Sequence, residues 1–567
     1  MGADGSRTSE PQQSTNYLEK SSEITNNFGT HECKLFRKKI FEQFPFLSFP
    51  LAHEFLKVAN KKGNAAGNQK LLHYQNLLML GDLLITTSDS GLKDFALEKS
   101  LECIKIRELL PIDIAAFKCL ELVDKYSLSI QRPKPDKLGF FINRVCEKRW
   151  WLRNIRRLCD QRLAEVEREL GLVNDKKSPY ASKRSINSRK RRLTLQREFM
   201  KEKFLTNHLG QQFSLAEVAD KNVSNPAIRR AELMTRISGF ETVAKLLGHA
   251  CVFLTLTTPS RMHKSLKKGR HNKKFDGTTP REAQDYLNQA WACMRAEFSR
   301  EGLQPYGFRI AEPHHDGTPH WHFLLFSPSK DLKKINKSIR KHALKVDGFE
   351  RGASAHRFKV IDIDLEDGSA ASYIAKYISK NIDGEFIDED LLGNSAKQSA
   401  VAIETWARNH NIRQFQQIGG PSVTVWRELR KLKEPLDNTV AEKARFAADS
   451  GDWAAYVLAM GGIHKNPSER SIKPFYEHVK ATDIETGEVI DFELTSYGDV
   501  RHKPIRGLRV EGNVIYTRMF VWSENRLLEP LRDEKLMTDW APAQPVINFS
   551  EMSGTWTCVN NCTENIL

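Results

Sequence analysis

No apolar run in this 567-residue chain approaches the roughly 18 to 20 residues that a membrane span needs. Cysteine is sparse: nine residues, no CxxC pair, and only Cys558 and Cys562 standing close together. That argues against a zinc ribbon or a disulfide frame and fits reduced thiols in a cytosolic protein. No phosphate loop of the form G-x-x-x-x-G-K-S/T is present, so nucleoside triphosphate hydrolysis is not expected. The opening MGADGSRTSEPQQSTNYLEK is polar and lacks an apolar centre, which predicts no signal peptide and a cytoplasmic protein.

What the chain has in excess is positive charge. Lys and Arg number 87 against 71 Asp and Glu, a formal net charge of +16. A polyanion, most simply nucleic acid, is the partner such a balance suggests. The charge is concentrated. Lys176 to Phe204, KKSPYASKRSINSRKRRLTLQREFMKEKF, carries eleven Lys/Arg against two Glu. Just before it, RVCEKRWWLRNIRRLCDQRL mixes arginines with two tryptophans. Clustered cations release counterions from phosphates, and interleaved aromatics stack on bases. The candidate DNA-binding residues are therefore Arg149, Trp150, Trp151, Arg153, Arg156, Arg157, Arg189, Lys190, Arg191 and Arg192.

Periodicity divides the chain further. Residues 1–28 are Ser-, Thr-, Asn- and Gln-rich and predict a disordered tail, followed by a helical N-terminal domain over 29–135 and a basic helical DNA-binding region over 136–245. Between 246 and 395 the pattern is richest. CVFLTLTT reads as a strand; a helix follows a basic loop, with Thr279 as N-cap, Pro280 at its first position and Gly302 as its stop. Two strands flank the turn PHHDGTP, then come a Lys-rich helix, the strand HRFKVIDIDL and the helix SAASYIAKYISKNI. This β-α-β-β-α-β order plus a closing helix predicts an α+β fold with a ferredoxin-like antiparallel sheet. A helical segment over 396–440 and a β-rich C-terminal region over 441–567, of unknown role, complete the expectation.

Within AEPHHDGTPHWHFLLF, His320 and His322 share one face of a strand and Trp321 takes the other, the imidazoles about 7 Å apart along the chain. The turn brings Glu312 opposite His320, a third ligand for a divalent ion such as Mg²⁺ or Mn²⁺. His314, His315 and Asp316 in the turn remain alternative or supporting ligands. A lone H-x-H is often a chance pair. Downstream, Tyr373 and Tyr377 stand four apart on one helical face, with Lys380 on it and Lys376 at its edge. Nearby cations ease phenolate formation, so a tyrosine nucleophile fits this setting.

The strand PHWHFLLF followed about fifty residues later by Y-x-x-x-Y resembles the HUH endonucleases. FLTLTTPSR, EPHHDGTPHWHFLLF, SYIAKYISKNI and IRQFQQIGGPSVTVWREL together resemble the bacteriophage replication gene A protein family, over roughly residues 145 to 435. The resemblance implies an HUH domain whose first motif, Phe253 to Thr257, lies near DNA, with His320 and His322 on the metal and Glu312 at the third-ligand position. It implies Tyr373 and Tyr377 as nucleophiles for a single-strand nicking and rejoining enzyme that starts and ends rolling-circle replication through a 5′-phosphotyrosyl link. A replication origin in single-stranded or supercoiled DNA, a host helicase and a host polymerase are the implied partners. The bulky Trp321 departs from the commonest pattern. Rival readings are an HUH transposase or plasmid mobilisation nuclease, a non-enzymatic DNA-binding regulator, and a hydrolytic metalloenzyme for a small substrate.

Overall fold

The computed structural model describes residues 9–366, 368–385, 388–390, 392–477, 480–482, 489–491, 502–520 and 522–526. The first part is helical. Ser9–Thr25, His31–Gln43, Ser48–Lys62, Asn64–Leu77, Asp89–Leu109, Ile112–Lys125 and Leu138–Val145 surround a core that includes Phe41, Phe44, Phe55, Tyr74 and Tyr126. Ser9–Thr25 corrects the expectation of a disordered tail over that stretch. Its polar residues turn inward: Ser21 and Thr25 are buried, the Thr25 hydroxyl donates to the Ser21 carbonyl, and Arg37 donates to the Thr25 carbonyl.

Helix α1 (Lys148–Glu169) closes this helical body. Its apolar stripe, Trp151, Ile155, Cys159 and Val166, belongs to the same core, so no packing boundary falls near residue 136. Helix α2 (Lys183–Lys201) carries most of the basic run and has Ser185 as its one buried residue. Helix α3 (Pro226–Leu247) starts at an Asn225 cap with Pro226 in its first turn and ends at Gly248 in the left-handed region, leading into the central sheet.

The sheet has five strands: β1 (His249–Thr257), β2 (Tyr306–Pro313), β3 (Pro319–Pro328), β4 (Phe358–Ile363) and β5 (Phe415–Ile418). Their spatial order is β4-β1-β3-β2-β5, and every neighbouring pair is antiparallel. Helix α4 (Pro280–Arg300) links β1 to β2. Its start is a full capping box, Thr279 against Glu282, with Pro280 at the first position as the sequence predicts. Helix α5 (Ser329–Ala343) follows β3, α6 (Ala370–Ile382) follows β4, and α7 (Ala396–Asn409) precedes β5. Strand β5 was not expected. IRQFQQIGG is too polar and short to announce a strand, yet Phe415–Ile418 pairs with β2, so the sheet reaches past residue 395.

Alternation along the strands sorts the core into two layers. Cys251, Phe253, Phe308, Leu324 and Phe326 face α3 and α6; Val252, Leu254, Trp321, Phe323 and Leu325 face α4 and α5. Gly307 in β2 has φ +144°, and a Cβ there would overlap the Leu324 carbonyl, so only glycine lets β2 and β3 approach.

Beyond the sheet the chain is helical over Val423–Leu429, Thr439–Asp449 and Trp453–Ala459 before the strands Ile472–Tyr476, Ile505–Val510 and Asn513–Tyr516. The region after 441 therefore opens with helices, a correction to the β-rich expectation; much of the remainder lies outside the described residues. The fold is mixed α+β. Among the described residues, no helix is long and apolar enough to cross a membrane.

Candidate metal and tyrosine site

The β2–β3 hairpin sets the site. Its register pairs Glu312 with His320, and His322 lies two residues further along β3 on the same face. The ligand atoms of all three lie within 4.8 Å of one another. Nε2 of His320 and Nε2 of His322 are 3.0 Å apart, and Glu312 Oε2 is 3.9 Å from the first and 3.7 Å from the second. All three side chains are buried. Thr255, paired with His322 across β1 and β3, bonds His322 Nδ1 at 3.0 Å, which leaves Nε2 to face the other two groups. Two imidazoles aiming Nε2 toward a buried carboxylate is a donor set that fits a divalent cation. Burial holds His320 far below the usual imidazole range, His314 and His322 adding to the effect, so its ring is neutral and ready to ligate.

Glu312 is ionised. Burial raises its carboxyl, but Lys380, His322 and Asn381 outweigh that and hold it at about 2. Lys380 Nζ stands 3.2 Å from Glu312 Oε2, and the Asn381 amide donates to Glu312 Oε1. Both residues sit at the end of α6, one turn past the tyrosines. Helix α3 pins that helix at each end: Glu241 accepts from Ser369 Oγ and Ala371 N at its start, and Arg230 pairs with Asp383 at its finish.

The tyrosines share a face as predicted. The Tyr377 ring lies 4.5 Å from the His322 ring, Tyr373 packs on Phe253 at 4.8 Å, and the two phenol rings are 6.5 Å apart. Lys376 Nζ is 4.8 Å from the Tyr373 ring and 5.3 Å from the Tyr377 ring. The expectation that the lysines ease phenolate formation needs a correction. Burial, then Tyr373 and Glu312, push the Tyr377 phenol up to about 12. Lys380 is engaged by Glu312, leaving Lys376 as the exposed cation beside the rings.

The turn residues behave differently from one another. His314 stacks on His320 with ring centres 4.0 Å apart, and burial together with His263 lowers it to about 3. Asp316 is fully buried, its carboxylate accepting from Ser265 N and from Thr318. Arg168, near the end of α1, donates to the carbonyls of Asp316, Thr278 and Met262 and to Thr318 Oγ1, so the helical body braces the turn that carries the histidines. Tyr180, at φ +73°, bonds the His315 carbonyl through its backbone, and Lys380 lies over its ring at 5.3 Å. Sequence reasoning missed Thr255, Arg168, Tyr180 and Asn381. Arg168 and Tyr180 reach the site from a distant part of the chain, whereas Thr255 and Asn381 lie inside motifs already singled out, and only the fold shows what their side chains bond.

A family model described as bacteriophage replication gene A protein matches residues 115–385, a span that contains the hairpin and both tyrosines. The chain belongs to the bacteriophage replication gene A protein family. Among relatives of this gene A family chain is the replication gene A protein of Escherichia phage 186, 40% identical over 442 residues, covering 76% of this chain and 60% of that protein. The replication protein of Haemophilus phage HP1 is 36% identical, covering 75% of this chain and 54% of its own length. A Salmonella typhimurium protein named "Probable replication endonuclease from prophage-like region" is 33% identical, over 73% and 50% respectively. The chain thus spans between half and three fifths of these relatives. No solved structure matches it.

The DNA-binding candidates of this family member fare unevenly. Trp150 and Trp151 are 7% and 0% exposed, and Trp151 Nε1 donates to the Val145 carbonyl. They are core residues of the helical body and present no face for a base. Arg156 pairs with Asp89, Arg189 with Glu404 and Arg192 with Asp160. Arg149, Arg153, Arg157, Lys190 and Arg191 are exposed.

Proposed function

We propose that this chain is a single-strand DNA endonuclease and strand-transfer enzyme that initiates and terminates rolling-circle replication. The observation that carries this is the 4.5 Å packing of Tyr377 on His322, which puts a potential nucleophile beside a three-residue cation site. The strand order β4-β1-β3-β2, with the histidines on a central strand, supports an HUH domain of ferredoxin-like type. Glu312, His320 and His322 would hold a Mg²⁺ or Mn²⁺, which when bound would supply Lewis-acid polarisation of the scissile phosphate.

The chain's own residues do the rest. One phenol oxygen attacks phosphorus, the bond to the 3′ oxygen breaks, and the phenolic proton is passed on as the 3′-hydroxyl forms. The product is a 5′-phosphotyrosyl link and a 3′ end for a host polymerase, with a host helicase unwinding ahead. Tyr377 rests as the phenol, so its proton must leave in the course of the attack. Lys376 stabilises the incoming phosphate. The link preserves the phosphodiester's energy, so the second tyrosine takes over the strand with no nucleotide cofactor.

Incubation with Mn²⁺ and an end-labelled single strand carrying origin sequence tests this reading. An SDS-stable protein–DNA adduct is expected; cleavage without adduct would point to metal-activated water.

A further inference from the structure

The loop between β1 and α4 is the strongest unassigned feature. From Arg261 to Asp276 it carries seven Lys/Arg against one Asp. Lys267, Lys268, Arg270, Lys273 and Lys274 are exposed, and of these Lys274 pairs with Glu350. Yet the loop is well built. Asn272 is buried and its amide donates to the carbonyls of Ser260 and His263; Leu266 N donates to the Arg270 carbonyl. Five cations held in one small folded loop repel one another, so the arrangement favours a bound polyanion.

Its position decides which polyanion. The loop's base is fixed to the histidine turn, Ser265 N donating to Asp316 Oδ2 at 3.3 Å. His263 packs on His314 at 4.9 Å, and His314 stacks on His320. Its tip docks on the segment after α1, where Lys268 N donates to Asp175 Oδ2 at 2.6 Å beside the exposed Lys176 and Lys177. The loop's exposed cations are thus anchored at one end beside Lys176 and Lys177 and at the other to the turn that carries the histidines.

We infer that the Lys264–Lys274 loop is a phosphate-gripping arm that holds the single strand flanking the scissile phosphate. This rests on DNA being the substrate of the adjoining site. The arm, rather than the buried tryptophans of α1, is the main electrostatic contact near the reaction. Backbone contacts of this kind carry no base sequence and set only the path of the strand.

The test uses the full chain, a fluorescent single-stranded oligonucleotide and a duplex of the same sequence, with EDTA present so that no cleavage intervenes. Affinity is followed by anisotropy over a salt series. The variant is Lys267→Gln/Arg270→Gln/Lys273→Gln, sparing Lys268, which sits in the left-handed region and anchors the tip to Asp175. A charge-matched control, Lys333→Gln/Lys334→Gln/Lys337→Gln, lies on the exposed face of α5, on the sheet face opposite His320 and His322, and thermal unfolding verifies that both variants fold. The arm variant should bind the single strand about tenfold to a hundredfold more weakly, with the slope of log K against log salt shallower by about 2. Equal effects of the two triples overturn the inference, as does a loss confined to the duplex. An arm-dependent loss in a protein that forms no adduct with Mn²⁺ would overturn the nuclease reading alone.

Discussion

Lys380 Nζ and Glu312 Oε2 are 3.2 Å apart, both buried, and this pair joins the tyrosine helix to the cation site. Because Lys380 lies one turn beyond Tyr377 on α6, the ion pair fixes how far the phenols stand from the histidines. Lys380→Met should therefore slow adduct formation about tenfold to a hundredfold, the range expected for losing a hydrogen bond to a charged group. Single-turnover kinetics at saturating DNA measures it, and oligonucleotide affinity in EDTA should change less than about twofold because Lys380 is buried.

Thr255 orients His322. Its hydroxyl bonds Nδ1 and leaves Nε2 for the cation, and such supporting bonds contribute about tenfold to a hundredfold in metal affinity. Thr255→Val should weaken Mn²⁺ binding by that factor in titration calorimetry. His320→Ala and Glu312→Gln should remove it.

Arg168 connects the helical body to the histidine turn through four hydrogen bonds while wholly buried. Arg168→Met removes the hydrogen bonds to three carbonyls and Thr318 Oγ1 and takes the cation from beside the buried Asp316, a loss on the order of 3–5 kcal/mol. Denaturant unfolding should show it, and Mn²⁺ affinity should fall as the turn loosens.

A pH effect on stability follows from Glu297 of α4, which pairs with Lys341 and His342 of α5. The Lys341 hydrogen bond first, then His342, outweigh desolvation and lower the Glu297 carboxyl from 4.5 to about 2. A carboxyl depressed on folding stabilises the fold above its unfolded value and loses that contribution as pH falls through the folded one. Glu297→Gln should accordingly melt below wild type at pH 7, with the difference shrinking between about pH 4.5 and pH 2.

The hairpin, the metal residues and the tyrosine helix were legible because each announces itself locally. Period-two alternation puts His320 and His322 on one face, the turn PHHDGTP puts Glu312 opposite, and a spacing of four puts both tyrosines on one side of α6. The tryptophans misled for the opposite reason. In an Arg-rich helix, Trp150 and Trp151 look like base-stacking residues, but they lie on the apolar stripe that seals a core built from residues a hundred positions earlier. Strand β5 pairs only because β2 offers it an edge. The ammonium of Lys380 could be assigned to the phenols from sequence; only the fold shows Glu312 closer.

The most direct measurement of the central claim is peptide mapping of the SDS-stable adduct by mass spectrometry, with Tyr373→Phe, Tyr377→Phe and the double variant alongside. The nucleotide mass should sit on Tyr373 or Tyr377, persist on the remaining tyrosine in each single variant and be absent from the double. An adduct on any other residue, or cleavage that survives in the double variant, would contradict the account.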